Sequence, residues 1–331
     1  MLLTGLLFAL LSGVCNGLFS APMKMIPRWR WENIWFVFIV TACLLMPVCF
    51  AAPAIPRWPD LWLQAPSSAL AAAIGFGFAW GFGAICFGLS VDRLGVSIAN
   101  SLVIGLSSAF GSLVPLLTSG ALRFDARQNT LFAGILAFLV GVVFCARAGL
   151  LRDGSGPSKT SFSGYLLAIG SGIMSAVFNI GYSLALPIAA TGTSLGLSQF
   201  TATNCIWVLM LAAGAIPNLV YCGLLMKRHT TGRLLSAPRS TRAWSLSIAM
   251  GLLWGGSIFL YGAATPRLGD IGPSIGWPLS LAVGLLVANV MGILLHEWRN
   301  ASAAATRRMK LGIVILVAAI LLCAFSTRIA A

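Results

Sequence analysis

The chain has 331 residues, of which 59% are hydrophobic and 8% are charged, and its formal net charge is +14. Soluble domains carry roughly 25% charged residues, so the composition excludes a water-soluble globular protein and indicates an integral membrane protein. The basic excess does not indicate a nucleic-acid partner. Every Lys and Arg lies between or at the edges of apolar runs, as in the cytoplasmic loops of membrane proteins.

Ten apolar runs follow one another along the chain, each long enough to cross about 30 Å of hydrocarbon as a helix. The first run lacks the basic start and the cleavage site of a signal peptide, so we interpret it as a membrane span. The predicted spans are residues 2–22, 34–52, 68–91, 95–118, 129–149, 163–187, 198–226, 244–264, 273–295 and 311–328. The sequence therefore predicts an all-α membrane protein with ten transmembrane helices.

The distribution of basic residues predicts the orientation of these spans. Of the 21 Lys and Arg residues, 16 lie in or beside the loops after the first, third, fifth, seventh and ninth spans. Positive charge marks the cytoplasmic side of a membrane. We therefore expect both termini on the periplasmic side and the segment 227–242 in the cytoplasm.

Three stretches of the first half recur in the second half in the same order. The stretch Trp80 to Gly95 matches Trp254 to Gly269 at a shift of 174 residues, with Trp-Gly at the start and Arg-Leu-Gly at the end. Residues 5–19 match residues 164–178 at a shift of 159. A fainter match pairs Gly134, Ile135, Cys145 and Ala146 with Gly312, Ile313, Cys323 and Ala324.

The matches predict two five-helix halves, residues 1–155 and 156–331, within one membrane domain. An odd number of spans in each half forces the second half to insert upside down. Such a 5+5 inverted repeat is typical of alternating-access transporters, whose sites lie near the middle of the membrane. Small residues let helices approach closely in lipid. Gly81, Gly88, Gly255 and Gly262 are therefore candidates for permitting a rocking motion, although packing alone also explains them.

The polar residues inside the predicted spans are neutral. All seven carboxylates fall in loops or at span edges, and no His, Cys, Asp or Glu spacing suggests a metal site. This pattern argues against an enzyme and against a cofactor or metal. Amides, hydroxyls and aromatic rings suit a neutral polyhydroxylated ligand, because amides exchange hydrogen bonds with hydroxyls and rings stack on the C–H faces of sugars.

Several of these polar and aromatic residues recur at helical spacing, so we expect them to face a cavity or a neighbouring helix. The alternative is hydrogen bonding between helices with no ligand role. The candidate substrate-binding residues are Asn16, Trp80, Asn179, Gln199, Asn204, Trp254, Tyr261 and Trp277.

Five phrases of the chain resemble the L-rhamnose–proton symporter family, which belongs to the drug/metabolite transporter superfamily. They are "APMKMIPRWRWENIW" (21–35), "WGFGAICFGLSVDRLG" (80–95), "GIMSA" (172–176), "GLLWGGSIFLYG" (251–262) and "LLHEWRNA" (294–301). The resemblance runs over essentially the whole chain and implies ten helices and proton-driven sugar uptake through a bacterial inner membrane. One departure is the uncharged segment 184–194, where better-known members carry Lys, His and Glu.

If protons are coupled to transport, Glu32 and Asp92 at the cytoplasmic edge are the candidate carriers. The alternative is that Glu32 caps the second span and that Asp92 caps the fourth span or neutralises Arg93.

The function expected from the sequence is import of a neutral monosaccharide, L-rhamnose or a similar sugar, with a proton as the coupling ion. The expected partners are this sugar and the membrane lipid that surrounds the helices. The oligomeric state is left open. One alternative is a drug or metabolite exporter on the same scaffold, and another is a membrane sensor or assembly protein that transports nothing.

Overall fold

The computed structural model describes residues 2–94, 96–118, 120, 122–152, 162–294, 296 and 298–329. Within these ranges every regular element is a helix. The α-helices are α1 (Leu2–Leu18), α2 (Trp31–Ile39), α3 (Met46–Ala51), α4 (Trp58–Gln64), α5 (Ser67–Leu94), α6 (Val96–Thr118), α7 (Ala126–Arg152), α8 (Phe162–Ser194), α9 (Gln199–His229), α10 (Thr241–Ala264), α11 (Gly272–Leu294) and α12 (Ala303–Ser326). Short 3₁₀ helices span Ala21–Met25, Ala52–Arg57, Gly232–Ser236 and Thr265–Arg267.

The predicted second span is part of a longer, irregular helical segment from Trp31 to Gln64. A π-helical stretch, Val40–Leu45, separates α2 from α3. Pro47 follows this stretch and cannot donate a hydrogen bond to the carbonyl of Cys43 four residues earlier, which interrupts the regular α-helical ladder. The segment begins earlier than the apolar run because the polar side chains of Glu32 and Asn33 have hydrogen-bond partners elsewhere in the chain.

Nine helical segments in the described part of the chain are long and apolar enough to cross a membrane. The predicted fourth span corresponds to α6, whose apolar stretch Leu102–Leu117 is shorter than the 18 residues that define such a candidate. The chain is therefore an all-helical multi-pass membrane protein, and the count of ten crossings stays a prediction.

The chain forms two compact units, each of which draws on both halves of the sequence. The first unit contains Met1–Gly17, Gly83–Asn179 and Ala264–Ala331. The second unit contains Leu18–Phe82 and Ile180–Ala263. The long helices α5 and α8 each contribute one part to each unit.

The first unit is built around the packing of α7 against α12. A β-carbon added at Gly134 would lie 2.7 Å from Sγ of Cys323, and one added at Gly312 would lie 2.6 Å from Sγ of Cys145. The two glycines and the two cysteines are the residues paired by the faint sequence match. The same contact thus occurs twice, with the roles of α7 and α12 exchanged.

The second unit contains a similar pair of close helix contacts. On α5, Gly77 and Gly81 lie against the backbone of α9 at Met210 and Gly214. On α10, Gly251 and Gly255 lie against Thr41, Ala42 and Met46 of the irregular segment. Each glycine of α10 follows its counterpart on α5 by the shift of 174 residues found in the sequence. Small residues at these points allow the helices to approach closely in lipid.

Candidate functional site

Three aromatic side chains from three helices form a buried group in the second unit, here called the aromatic trio. Tyr182 of α8 and Trp207 of α9 stack with ring centroids 4.5 Å apart and an interplanar angle of 7°. Tyr261 of α10 lies 5.5 Å from Tyr182 and 6.4 Å from Trp207 between centroids. All three side chains are almost fully buried. Gly262 allows α10 to approach this group, since a β-carbon there would lie 2.6 Å from Nε1 of Trp207.

Asn204 lies one turn before Trp207 on α9 and is completely buried. Neither Nδ2 nor Oδ1 of this amide has a hydrogen-bond partner among the residues that the structure describes. Leaving a buried polar group unsatisfied costs about 1–3 kcal/mol, so such groups call for an explanation by bound water, ligand or function. The amide offers two donors and one acceptor beside flat aromatic rings, a combination suited to hydroxyl groups.

Gln199 begins α9, and its backbone carbonyl accepts a 2.9 Å hydrogen bond from the hydroxyl of Thr203. Thr203 is buried next to Asn204, and its methyl group would lie 3.2 Å from a β-carbon at Gly262. The start of α9 thus places a Gln, a Thr and an Asn within two turns. Of these three, Asn204 has polar side-chain atoms with no partner in the part of the chain that the structure describes.

A second aromatic group joins the two tryptophans that the sequence repeat pairs. Trp80 of α5 and Trp254 of α10 stack with centroids 5.2 Å apart and an interplanar angle of 12°. Phe38 meets Trp254 edge-on at 5.8 Å. Both tryptophans are half-buried, which leaves part of each ring available for contact.

Asn218, which is not among the candidates predicted from the sequence, supports this tryptophan pair. It is fully buried on α9, its Oδ1 accepts a 3.0 Å hydrogen bond from Nε1 of Trp35, and its Nδ2 donates a 3.0 Å bond to the Gly81 carbonyl. Asn218 therefore ties α9 to α2 and to the turn of α5 that carries Trp80. The sequence does contain a signal for this residue, because an amide directly follows Pro217 within an apolar span.

The first unit contains three of the predicted site residues, Asn16, Asn179 and Trp277. Nδ2 of Asn179 donates to the Gly111 carbonyl at 2.7 Å and to the Pro273 carbonyl at 3.2 Å. Gly111 lies four residues before Pro115 in α6, and proline cannot supply the helical hydrogen bond that this carbonyl would otherwise accept. Asn179 supplies it instead and thereby joins α8 to α6 and α11.

Hydroxyl groups extend this network within the first unit. Nε1 of Trp277 lies 3.2 Å from Oγ of Ser107, which in turn lies 2.9 Å from Oγ of Ser175. Asn16 lies where α1 approaches α11 closely, since a β-carbon at Gly284 would lie 3.2 Å from its Nδ2. The predicted polar residues of this unit are thus placed at helix contacts.

We expect Asn179→Leu to destabilise the protein, because it leaves the buried Gly111 carbonyl without a donor. Loss of one partner of a buried hydrogen bond costs about 1–3 kcal/mol. Thermal unfolding of the detergent-purified variant measures this loss. An unchanged melting temperature would contradict the structural role assigned to Asn179.

Glu32 lies in the first turn of α2 and not at its N-cap position. Its role as a cap or as a proton carrier stays a prediction. Arg30 occupies the N-cap position of α2, with no side-chain cap hydrogen bond. The Glu32 carboxylate instead accepts a 2.9 Å hydrogen bond from the hydroxyl of Thr231 and lies 3.0 Å from Nδ1 of His229. Asp92, the other proton-coupling candidate, lies on α5, and its side chain is not among those that the structure describes. Gly88, one of the candidate glycines, lies one helical turn before Asp92.

A model of the family described as L-rhamnose-proton symport protein (RhaT) matches residues 1–327. A protein named L-rhamnose-proton symporter from Escherichia coli (strain 55989 / EAEC) is 28% identical over 329 residues, which cover 95% of each chain. A protein of the same name from Shigella boydii serotype 18 is 27% identical with the same coverage. These relatives are transporters by name, not enzymes.

The fold is similar to that of a solved crystal structure with a TM-score of 0.60, at 13% sequence identity and over the whole of both chains. That similarity concerns the fold alone. The family model, by contrast, extends over nearly the entire sequence and includes every helix described above. The chain therefore belongs to the L-rhamnose-proton symport protein family.

Proposed function

We propose that the protein imports a neutral monosaccharide, L-rhamnose or a similar sugar, together with a proton across the bacterial inner membrane. The observation that carries this proposal is the family match over residues 1–327, together with relatives named L-rhamnose-proton symporter that align along 95% of their length. Transport proceeds by alternating access, and no covalent bond is made or broken.

The sugar is recognised in the second unit by neutral hydrogen-bonding groups and aromatic faces. Asn204 exchanges hydrogen bonds with sugar hydroxyls, because its amide is buried and unsatisfied among the described residues. Tyr261, together with the stacked pair Trp80 and Trp254, supplies aromatic surface, and Gln199 supplies a further amide at the start of α9. The other three candidate residues, Asn16, Asn179 and Trp277, lie at helix contacts of the first unit, and we propose that they hold its helices in place.

The architecture that we propose is ten spans in a 5+5 inverted repeat, residues 1–155 and 156–331, with both termini periplasmic. This is the plan expected of the drug/metabolite transporter superfamily. The duplicated Gly–Cys contact between α7 and α12 supports the repeat, as do the paired glycine contacts of α5 and α10. Gly81, Gly88, Gly255 and Gly262 allow the small rearrangements that alternating access needs.

Counterflow in proteoliposomes tests the proposed function without requiring an ion gradient. Vesicles loaded with unlabelled L-rhamnose should take up labelled L-rhamnose transiently, and a panel of neutral sugars inside the vesicle should rank the substrates. A charged sugar acid should not exchange, since no cationic side chain is assigned to the site. Absence of exchange with every neutral sugar would contradict the proposal.

A further inference from the structure

Glu32 is the buried acid among the carboxylates whose side chains the structure describes. Its side chain is 4% exposed. Asp60 and Asp270 are exposed, and half-buried Asp125 accepts a 2.8 Å hydrogen bond from the backbone N–H of Gln128. Burying a carboxylate is costly unless it is paired and hydrogen-bonded. The burial of Glu32 is therefore to be explained by the groups that its carboxylate contacts.

The partners of Glu32 come from the end of α9 and the residues directly after it. Thr231 donates its hydroxyl hydrogen to the Glu32 carboxylate, while its own carbonyl accepts a 3.0 Å hydrogen bond from Nδ2 of Asn33. Consecutive residues of α2 thus hold the same threonine from two sides. This arrangement fixes the carboxylate against the C-terminal end of α9.

His229 connects the buried carboxylate to solvent. Its Nδ1 lies 3.0 Å from Oε1 of Glu32, and its side chain is 29% exposed, against 4% for Glu32. A carboxylate only accepts hydrogen bonds, whereas a carboxylic acid donates one, and a neutral imidazole nitrogen can do either. The pair can therefore exchange a proton along one hydrogen bond without any large movement.

We propose that Glu32 is the proton-binding residue of the transport cycle and that His229 relays protons between Glu32 and the aqueous phase. This inference rests on the proposed function and identifies where its coupling ion binds. An imidazolium formed by protonation of Nε2 from water passes its Nδ1 proton to the carboxylate. The products are neutral imidazole and a carboxylic acid, and the reverse sequence releases the proton.

The charged residues around the pair, among those that the structure describes, are basic. Nε of Arg30 lies 3.9 Å from the Glu32 carboxylate. The other charged or titratable groups on the elements packed against α2 are Cys205, Tyr221, Cys222, Lys227 and Arg228 of α9, Cys43 of the π-helical stretch and Arg233 of the following 3₁₀ helix. Protonation of Glu32 removes the negative charge that lies 3.9 Å from Nε of Arg30. It therefore alters the attachment of α2 to the end of α9, which gives a physical link between proton binding and helix movement.

The test compares sugar exchange, which needs no proton transfer, with accumulation driven by a pH gradient, in the full-length protein reconstituted into liposomes. Glu32→Gln keeps the size of the side chain and an oxygen that accepts from Thr231, but it cannot bind the proton. We expect it to retain counterflow of labelled L-rhamnose within about threefold of wild type. An imposed gradient of one pH unit should give no accumulation, whereas wild type should accumulate up to about tenfold per proton carried.

His229→Gln separates the relay from the proton site. It should lower the initial rate of gradient-driven uptake about tenfold while the final accumulation matches wild type, because a relay changes the rate and not the equilibrium. Asp60→Asn, which removes an exposed acid, is the matched control and should behave as wild type in both assays.

Gradient-driven accumulation by Glu32→Gln at the wild-type level would overturn the inference. Loss of both exchange and accumulation in a correctly inserted Glu32→Gln protein would also overturn it, since Glu32 would then serve the fold or the sugar site. Absence of exchange in the wild-type protein is a different result, because it contradicts the proposed function itself and removes the proton site with it.

Discussion

Replacing Asn204 with Leu should lower the initial rate of L-rhamnose uptake at least about tenfold without lowering the stability of the protein. Asn204 is completely buried, and neither polar atom of its amide has a partner among the described residues. Removing an unsatisfied buried amide by a side chain of similar size is nearly neutral or stabilising. Loss of its hydrogen bonds to a sugar should lower the rate of transport, because each such bond stabilises the bound sugar by about 0.5–1.5 kcal/mol, or more when it is buried.

The measurement pairs labelled uptake in proteoliposomes with thermal unfolding in detergent, and Asn179→Leu serves as the comparison. Asn179 donates to two backbone carbonyls, so its replacement should lower the melting temperature, whereas that of Asn204→Leu should stay or rise. Normal uptake by Asn204→Leu would remove Asn204 from the site. A melting temperature lowered as far as that of Asn179→Leu would assign it to the fold instead.

The Gly81→Ala substitution should destabilise the second unit and reduce transport, although alanine is the better helix former by about 0.5–1 kcal/mol. A β-carbon at Gly81 would collide with the backbone carbonyl oxygen of Gly214 and with Pro217. A backbone atom cannot move aside as a side chain can, and overpacking of this kind costs about 1–3 kcal/mol. The net effect should be a lower melting temperature and a smaller fraction of correctly inserted protein.

Gly75→Ala on the same helix is the control, since nothing lies within 4 Å of a β-carbon at that position. It should be neutral or slightly stabilising. Gly255→Ala, the counterpart of Gly81 in the repeat, should show a smaller loss than Gly81→Ala, because its nearest neighbour is the flexible thioether of Met46. Equal melting temperatures for Gly81→Ala and Gly75→Ala would show that the close contact of α5 with α9 is not required.

The sequence was informative wherever a property depends on hydrophobicity or on internal similarity. Runs of apolar residues locate the helices, because a membrane span needs little else. The shift of 174 residues pairs Trp80 with Trp254, and the structure places these two rings in a stack. The predicted start of the second span, residue 34, is three residues later than the start of α2 at Trp31. The polar residues Glu32 and Asn33 are typical of a loop in the sequence, and only the structure shows their hydrogen-bond partners.

Partners far apart in the sequence could not be predicted. His229 lies 197 residues from Glu32 along the chain, and no local pattern connects them. Asn179 and Asn204 are both amides within predicted spans. Asn179 donates to carbonyls of two helices, whereas the Asn204 amide has no partner among the described residues. The signal for Asn179 was present in α6, where Pro115 frees the Gly111 carbonyl, but the helix that supplies the donor is known only from the packing.

We propose that a neutral sugar binds at the buried amide and aromatic rings around Asn204. Thermal unfolding of the detergent-purified protein with and without L-rhamnose tests it most directly, because a ligand at 100 times its dissociation constant stabilises the folded state by about 2.7 kcal/mol. We predict that L-rhamnose raises the melting temperature of the wild-type protein and leaves that of Asn204→Leu unchanged. An equal rise in both proteins would contradict the claim, as would the absence of any rise in the wild-type protein at saturating sugar.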